Sequence, residues 1–177
     1  LLSVLYHRPV LLMNSGYHAN TGTIPALSDG ARTLIVADRL VHASIIDGII
    51  LSRAPFERFR HNDTKHLASI LDKHARDYER VIIVTESVFS MDGDKAPLER
   101  IAELRREYPN SLLYVDEAHA FGVEGSQGLG LAQDIPDADV IIGTFGKACA
   151  SVGAFVAVRN NDLRDLMVNR ARSFIFS

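Results

Sequence analysis

Residues 97–119 read PLERIAELRREYPNSLLYVDEAH, and within them the hydrophobic period changes. Over Pro97–Tyr108 the apolar Leu98, Ile101, Ala102 and Leu104 form a stripe beside the charged Glu99, Arg100, Glu103, Arg105 and Arg106, and Pro97 suits a first turn. That pattern predicts a helix lying on a covered surface. Ser111–Val115 is instead a short apolar run of buried type that stops at Asp116-Glu117. A helix feeding a buried strand whose far end is polar is the repeating unit of a parallel α/β sheet.

The same rhythm extends in both directions. Strands are predicted at Val10–Met13, Thr33–Ala37, Arg80–Thr85, Ser111–Val115, Val140–Gly143 and Ala154–Val158, and helices at His18–Ser28, His42–Arg53, Lys65–Ala75, Pro97–Tyr108 and Asp162–Arg172. Pro25 is expected to kink the first helix or end it early. The terminal Phe174-Ile175-Phe176 reads as a strand cut short, so the chain is expected to be a fragment. The fold class is α/β, a three-layer α/β/α sandwich with a mostly parallel sheet and one domain, without repeats or linkers.

Composition narrows the function classes. The 177 residues are 47% hydrophobic and 23% charged, enough apolar chain for a buried core. A net charge of −3 removes the clustered cations that nucleic acid or an anionic membrane surface demands, so neither partner is expected. The N-terminal apolar stretch is interrupted at His7-Arg8-Pro9, well short of a membrane span. One cysteine, Cys149, allows no internal disulfide, which fits a reducing, cytoplasmic address. No metal site is read from the sequence.

In open parallel sheets ligands gather at the carboxyl ends of the strands, so chemistry is sought in the polar segments there. Asn14–Asn20 follows a strand and opens a helix, where free N–H groups and the positive helix end suit a phosphate; Gly16 permits close approach and Tyr17 adds an aromatic wall. His42, in the next such segment, has a ring able to lie on a flat cofactor. Glu86–Asp94 carries acids and hydroxyls, among them Ser90 as a donor. Asp116 ends a central strand, where a carboxylate requires a strong partner such as a protonated pyridine nitrogen, and His119 lies within reach of the same ring. Lys147, after Gly143-Thr144-Phe145-Gly146 and before Ala148, Cys149 and Ala150, is expected to have a partly desolvated, nucleophilic amine. Each residue alone reads as a cap, a turn or a surface group. Together they specify one site.

At these blocks the chain resembles the α-oxoamine synthase family of fold-type-I pyridoxal-phosphate enzymes. The resemblance runs through Ser15-Gly16-Tyr17, Asp38-Arg39-Leu40 with His42-Ala43-Ser44, His61-Asn62-Asp63, Glu86 to Asp94, Asp116 to His119 and Gly143 to Lys147. It implies the large domain of that fold, with the N-terminal arm and C-terminal small domain missing. It further implies that Lys147 carries pyridoxal 5'-phosphate covalently, Asp116 pairs with the pyridine nitrogen, His119 contacts the ring hydroxyl and His42 stacks on the ring. Gly16, Tyr17, Ser90 and Thr144 would complete the cofactor pocket. The implied reaction is a decarboxylating condensation of an amino acid with an acyl thioester carried on coenzyme A or a carrier protein.

Met91–Leu98 and Asp116–His119 lean toward the family branch that joins alanine to a pimeloyl thioester. Branches using glycine with acetyl or succinyl thioesters, or serine with a long acyl thioester, share most of the blocks. Arg172–Ser177 resembles a segment whose hydroxyls reach a neighbouring subunit's site, which implies a homodimer. Two rival readings are weaker. Asp116-Glu117-Ala118-His119 also resembles a helicase magnesium motif, but position 141 is Ile, position 148 is Ala and Gly146-Lys147 lies downstream, so the required phosphate loop is missing. A catalytically dead relative would have lost the lysine, which is present here.

Overall fold

The computed structural model describes residues 1–176. Seven strands form one sheet in the order β1-β7-β6-β5-β4-β2-β3: β1 (Val10–Met13), β2 (Thr33–Asp38), β3 (Phe56–Phe59), β4 (Arg80–Glu86), β5 (Ser111–Asp116), β6 (Ala138–Thr144) and β7 (Ala154–Val158). The β3/β2, β2/β4, β4/β5 and β5/β6 pairs are parallel. β7 pairs antiparallel with both β6 and β1, so among the described strands it alone runs against the rest.

Helices cover both faces. α2 (Gly16–Leu27), α3 (Ala43–Ser52) and α6 (Asn161–Arg170) pack on one side through Ile24, Leu27, Ile45, Ile49 and Met167. α1 (Leu2–Tyr6), α4 (Thr64–His74) and α5 (Leu98–Glu107) pack on the other through Tyr6, Leu67, Leu71, Ile101 and Leu104. Successive strand residues point to opposite faces, which explains why β4 is apolar throughout: Val81 and Ile83 join one core, Ile82 and Val84 the other. The same parity places Glu86 and Asp116, register partners at the ends of β4 and β5, on the α2/α3 side.

The α/β/α reading and the six predicted strands stand, with β3 added. β3 was hidden because three of its four residues are exposed and its core carries Glu57-Arg58, the charged edge that discourages further pairing. α2 runs through Pro25 and ends two residues later; a proline in the last turn removes one hydrogen bond without breaking the rod. The strand expected at Phe174–Phe176 is not one: α6 ends at Arg170, Ala171 turns extended, and α7 (Arg172–Ile175) follows, its N–H groups satisfied locally rather than by a sheet edge. Ser177 lies outside the described residues.

Candidate functional site

The carboxyl ends of the strands converge on a cavity of about 120 Å³ lined by Gly16, Tyr17, Asn20, His42, Ser44, Glu86, Asp116, Ala118, His119, Thr144 and Lys147. Local sequence accounts for how each wall is set. Ser15 caps α2, its hydroxyl accepting from the His18 N–H at 3.1 Å, so the helix begins at Gly16 directly after β1. The first-turn N–H groups have no intrahelical acceptor and suit an anion. A Cβ at Gly16 would stand 3.5 Å from Thr144, in ordinary contact, so glycine is not what brings this helix end to the end of β6; it leaves the backbone N–H groups open to the cavity.

His42 caps α3, its Nδ1 accepting from the Ser44 N–H at 3.2 Å. Its own backbone N–H donates to Glu86 Oε1 at 2.5 Å. Tyr17 reaches across from α2 to α3 and donates its hydroxyl to Asp47 at 2.7 Å.

At the floor lies Asp116, buried at the end of β5. Asn20 Nδ2 donates to its Oδ2 at 2.8 Å and the Ala118 N–H to its Oδ1 at 2.9 Å. Asn20 is itself fixed from the far side, its Oδ1 accepting from the Tyr114 hydroxyl at 2.6 Å. Both donors to Asp116 are neutral, and among the described residues no lysine or arginine is ion-paired with it. A buried carboxylate so placed favours a cationic ligand atom above it. Beside it, Glu86 has its pKa raised to about 8, first by burial and then by the charge of Asp116. His119 is held below the ordinary imidazole range by burial, with Lys147 and His42 adding to the effect and Asp116 opposing it. Glu117 points to the other face, where the Ser87 hydroxyl and the Ala132 N–H satisfy it. The adjacent acids thus divide between site and scaffold.

Gly16, Tyr17, His42, Asp116, His119, Thr144 and Lys147 therefore line one cavity, as the strand-end argument predicts. Ser90 is exposed in the β4–α5 loop and is not among the lining residues. The desolvation expected at Lys147 is not found: Lys147, Ala148, Cys149 and Ala150 are all exposed, so small neighbours do not bury the amine. Asn20, Ser44 and Glu86 were not singled out from the sequence. Glu86 ends its strand as Asp116 ends the next one, and Asn20 is a polar residue on the buried face of α2; both are signals once register is known.

The aminotransferase class I and II family description matches residues 3–177. A Pasteurella multocida protein provisionally named 8-amino-7-oxononanoate synthase is 57% identical over 170 residues, covering 94% of this chain and 43% of that protein. A Neisseria meningitidis serogroup C protein of the same provisional name is 55% identical, covering 94% and 44%. The chain thus spans less than half the length of these curated relatives. Among solved structures, the Sphingomonas wittichii serine palmitoyltransferase superposes with a TM-score of 0.92 at 32% identity, over 99% of this chain and 44% of that one. The 8-amino-7-oxononanoate synthase of Francisella tularensis gives 0.83 at 31%, over 98% and 50%. Another similar structure, at 0.91 and 32%, is a serine palmitoyltransferase with its pyridoxal-phosphate internal linkage.

Proposed function

The chain belongs to the aminotransferase class I and II family, and on that premise we propose that its cavity is the pyridoxal-phosphate site of an α-oxoamine synthase, one that condenses alanine with a pimeloyl thioester to form 8-amino-7-oxononanoate. The observation that carries the reading is Asp116: a buried carboxylate with only neutral donors, facing a cavity that also presents Lys147, two histidines and a helix N-terminus. That donor set fits the cofactor's pyridinium, phosphate and aldehyde. The choice of alanine and a pimeloyl thioester is supported by the provisional names of relatives at 55–57% identity; the solved serine palmitoyltransferases and the solved 8-amino-7-oxononanoate synthase are equally distant, at 30–32%.

When bound, pyridoxal phosphate supplies a sink for the electron pair left on the substrate Cα. Asp116 holds the proton on the ring nitrogen, and Asn20 and the Ala118 N–H hold Asp116 in place. His42 covers one ring face and excludes water from it. His119, held neutral near pH 7, can share a hydrogen with the ring oxygen. The first turn of α2 at Gly16-Tyr17 and the Thr144 hydroxyl would hold the group down. Lys147 would anchor the cofactor, and its Nζ is the group that would take the Cα proton of the amino acid. The net reaction joins amino acid and acyl thioester with release of carbon dioxide and the thiol. A homodimer and a cytoplasmic address belong to the same reading.

Borohydride reduction of the full-length protein followed by peptide mapping is expected to place the cofactor mass on Lys147; a label elsewhere, or none, overturns the assignment. Lys147→Ala is expected to lower turnover by roughly 10²–10⁴-fold. Product analysis with alanine, glycine and serine, each with a pimeloyl thioester, tests the substrate. Preference for glycine or serine would retain the chemistry and replace the named product.

A further inference from the structure

On the opposite face of the same sheet end, away from the cavity, lies a polar cluster that the proposed chemistry does not use. His61 Nδ1 is 2.9 Å from Asp38 Oδ1, and His61 Nε2 is 2.6 Å from Asp94 Oδ2. The next residue supports both acids: the Asn62 N–H donates to Asp38 Oδ2 at 2.8 Å and Asn62 Nδ2 to Asp94 Oδ2 at 2.7 Å. Asn62 manages this from a left-handed backbone, φ 53°. The imidazole and the buried Phe89 ring stand nearly perpendicular, 4.5 Å between centroids.

We propose that His61, donating from both ring nitrogens, is a positioning residue that clasps the β4–α5 loop to the end of β2 and so sets the two segments bearing Ser90 and His42. A neutral imidazole has one N–H and one lone pair. Here both nitrogens face carboxylate oxygens, and the Asn62 Nδ2 that lies 3.3 Å from Nε2 makes its shorter contact, 2.7 Å, with Asp94, so loss of a proton would set a lone pair against an anion. The clasp therefore requires the doubly protonated ring. Asp38 is the anchor on one side: it ends β2, and its Oδ1 also takes the Leu40 N–H at 2.9 Å, shaping the turn that delivers His42. Asp94 is the anchor on the other, in the loop closed by the Phe89 N–H donating to the Asp94 carbonyl, the Gly93 N–H donating to the Phe89 carbonyl, and the Val88–Lys95 bridge. Its Oδ1 is buried with no partner, so the loop's acid depends on His61 and Asn62.

The surrounding charges are otherwise engaged. Arg60 pairs with Asp63, Lys95 with Glu124, and Glu86 lies on the other face beneath His42. Burial opposes charge on His61, yet the hydrogen bonds to Asp38 and Asp94 outweigh it and hold the imidazole above its ordinary range. A histidine shifted upward stabilises fully below the ordinary imidazole value, and the contribution is lost as pH rises through the folded-state value. The loop is accordingly clasped below the ordinary imidazole value and released as pH rises through the higher folded-state value.

The clasp stands on contacts independent of the cofactor; only its effect on the site rests on the proposed function. In full-length protein, the His61 ring would be titrated by NMR in the wild type and in Asp94→Asn, and amide exchange of residues 87–96 followed across the same range after correction for intrinsic rates. Expected are titration above the ordinary imidazole range, a downward move in Asp94→Asn, and roughly tenfold faster loop exchange above the transition, the effect of losing one charged hydrogen bond. An ordinary or lowered His61 titration, or pH-independent exchange, would overturn the clasp while leaving the function untouched. His61→Gln, which keeps only amide donors, is expected to weaken pyridoxal-phosphate binding by roughly tenfold at pH 7. Unchanged affinity would overturn the positioning role, whereas failure of the wild type to bind the cofactor would count against the proposed function instead.

Discussion

Glu86 and Asp116 end adjacent strands in register, yet the two acids meet different surroundings. Among the described residues Asp116 receives two N–H donors, whereas Glu86 receives the His42 N–H alone and has its pKa pushed up to about 8 by burial and by Asp116. A carboxyl raised above its unfolded value binds its proton more tightly in the native state, so its contribution is intact below about 4.5 and is lost as pH climbs to about 8. Glu86→Gln copies the protonated acid and keeps the acceptor for His42. The variant is expected to match wild-type stability near pH 4 and to exceed it at pH 9 by on the order of 2 kcal/mol, less than the full shift because the cavity admits water. Urea unfolding at the two pH values checks this; equal stability at both would show that Glu86 ionises freely. The cavity was legible from the sequence because each of its principal residues follows a strand. Glu86 and Asn20 were not, since their roles depend on which neighbour lies across the sheet.

Packing between elements reverses a rule that holds for isolated helices. Glycine inside a helix costs about 1 kcal/mol relative to alanine, so Gly48, in the middle of α3, appears from sequence as a defect to repair. In the fold it is the contact point of α3 with α2: an added Cβ would stand 2.8 Å from the Asn20 carbonyl oxygen and 3.1 Å from Ile24 Cδ1. The carbonyl belongs to helix backbone and cannot swing aside. Gly48→Ala is therefore expected to destabilise by about 1–3 kcal/mol, with a lower urea midpoint. Because Asn20 also holds Asp116, cofactor affinity should fall with it. A gain in stability would mean that propensity, not the interhelical approach, governs this position. Helix existence was readable from the amphipathic stripe of α5; the closeness of α2 to α3 was not, since periodicity reports a face and not its distance from a neighbour.

At the scale of the whole molecule, a sheet covered on both faces makes every central strand apolar, and that is why its strands could be located from sequence while the reversal of β7 could not: a continuous apolar run reads the same whichever direction the strand takes. What holds the layers in register lies at the end of the sheet opposite the cavity. Asp139, at the start of β6, is fully buried, and it accepts from Arg105 Nε of α5 at 3.1 Å, from the Leu113 N–H of β5 at 2.8 Å, and pairs with Arg159, just beyond β7, at 2.7 Å. One carboxylate thus joins a covering helix to two parallel strands and to the end of the reversed one. Removing one member of a buried pair leaves its partner desolvated and uncompensated. Arg105 is the exposed partner's opposite, only 12% accessible at its side chain against 42% for Arg159, so the cost falls mainly on it. Asp139→Ala is expected to lose about 3–5 kcal/mol in urea unfolding while the folded fraction binds pyridoxal phosphate with unaltered affinity. A loss below about 1 kcal/mol would place the fastening of the layers in the apolar cores alone, and a fall in affinity without a fall in stability would mean that the two ends of the sheet are coupled.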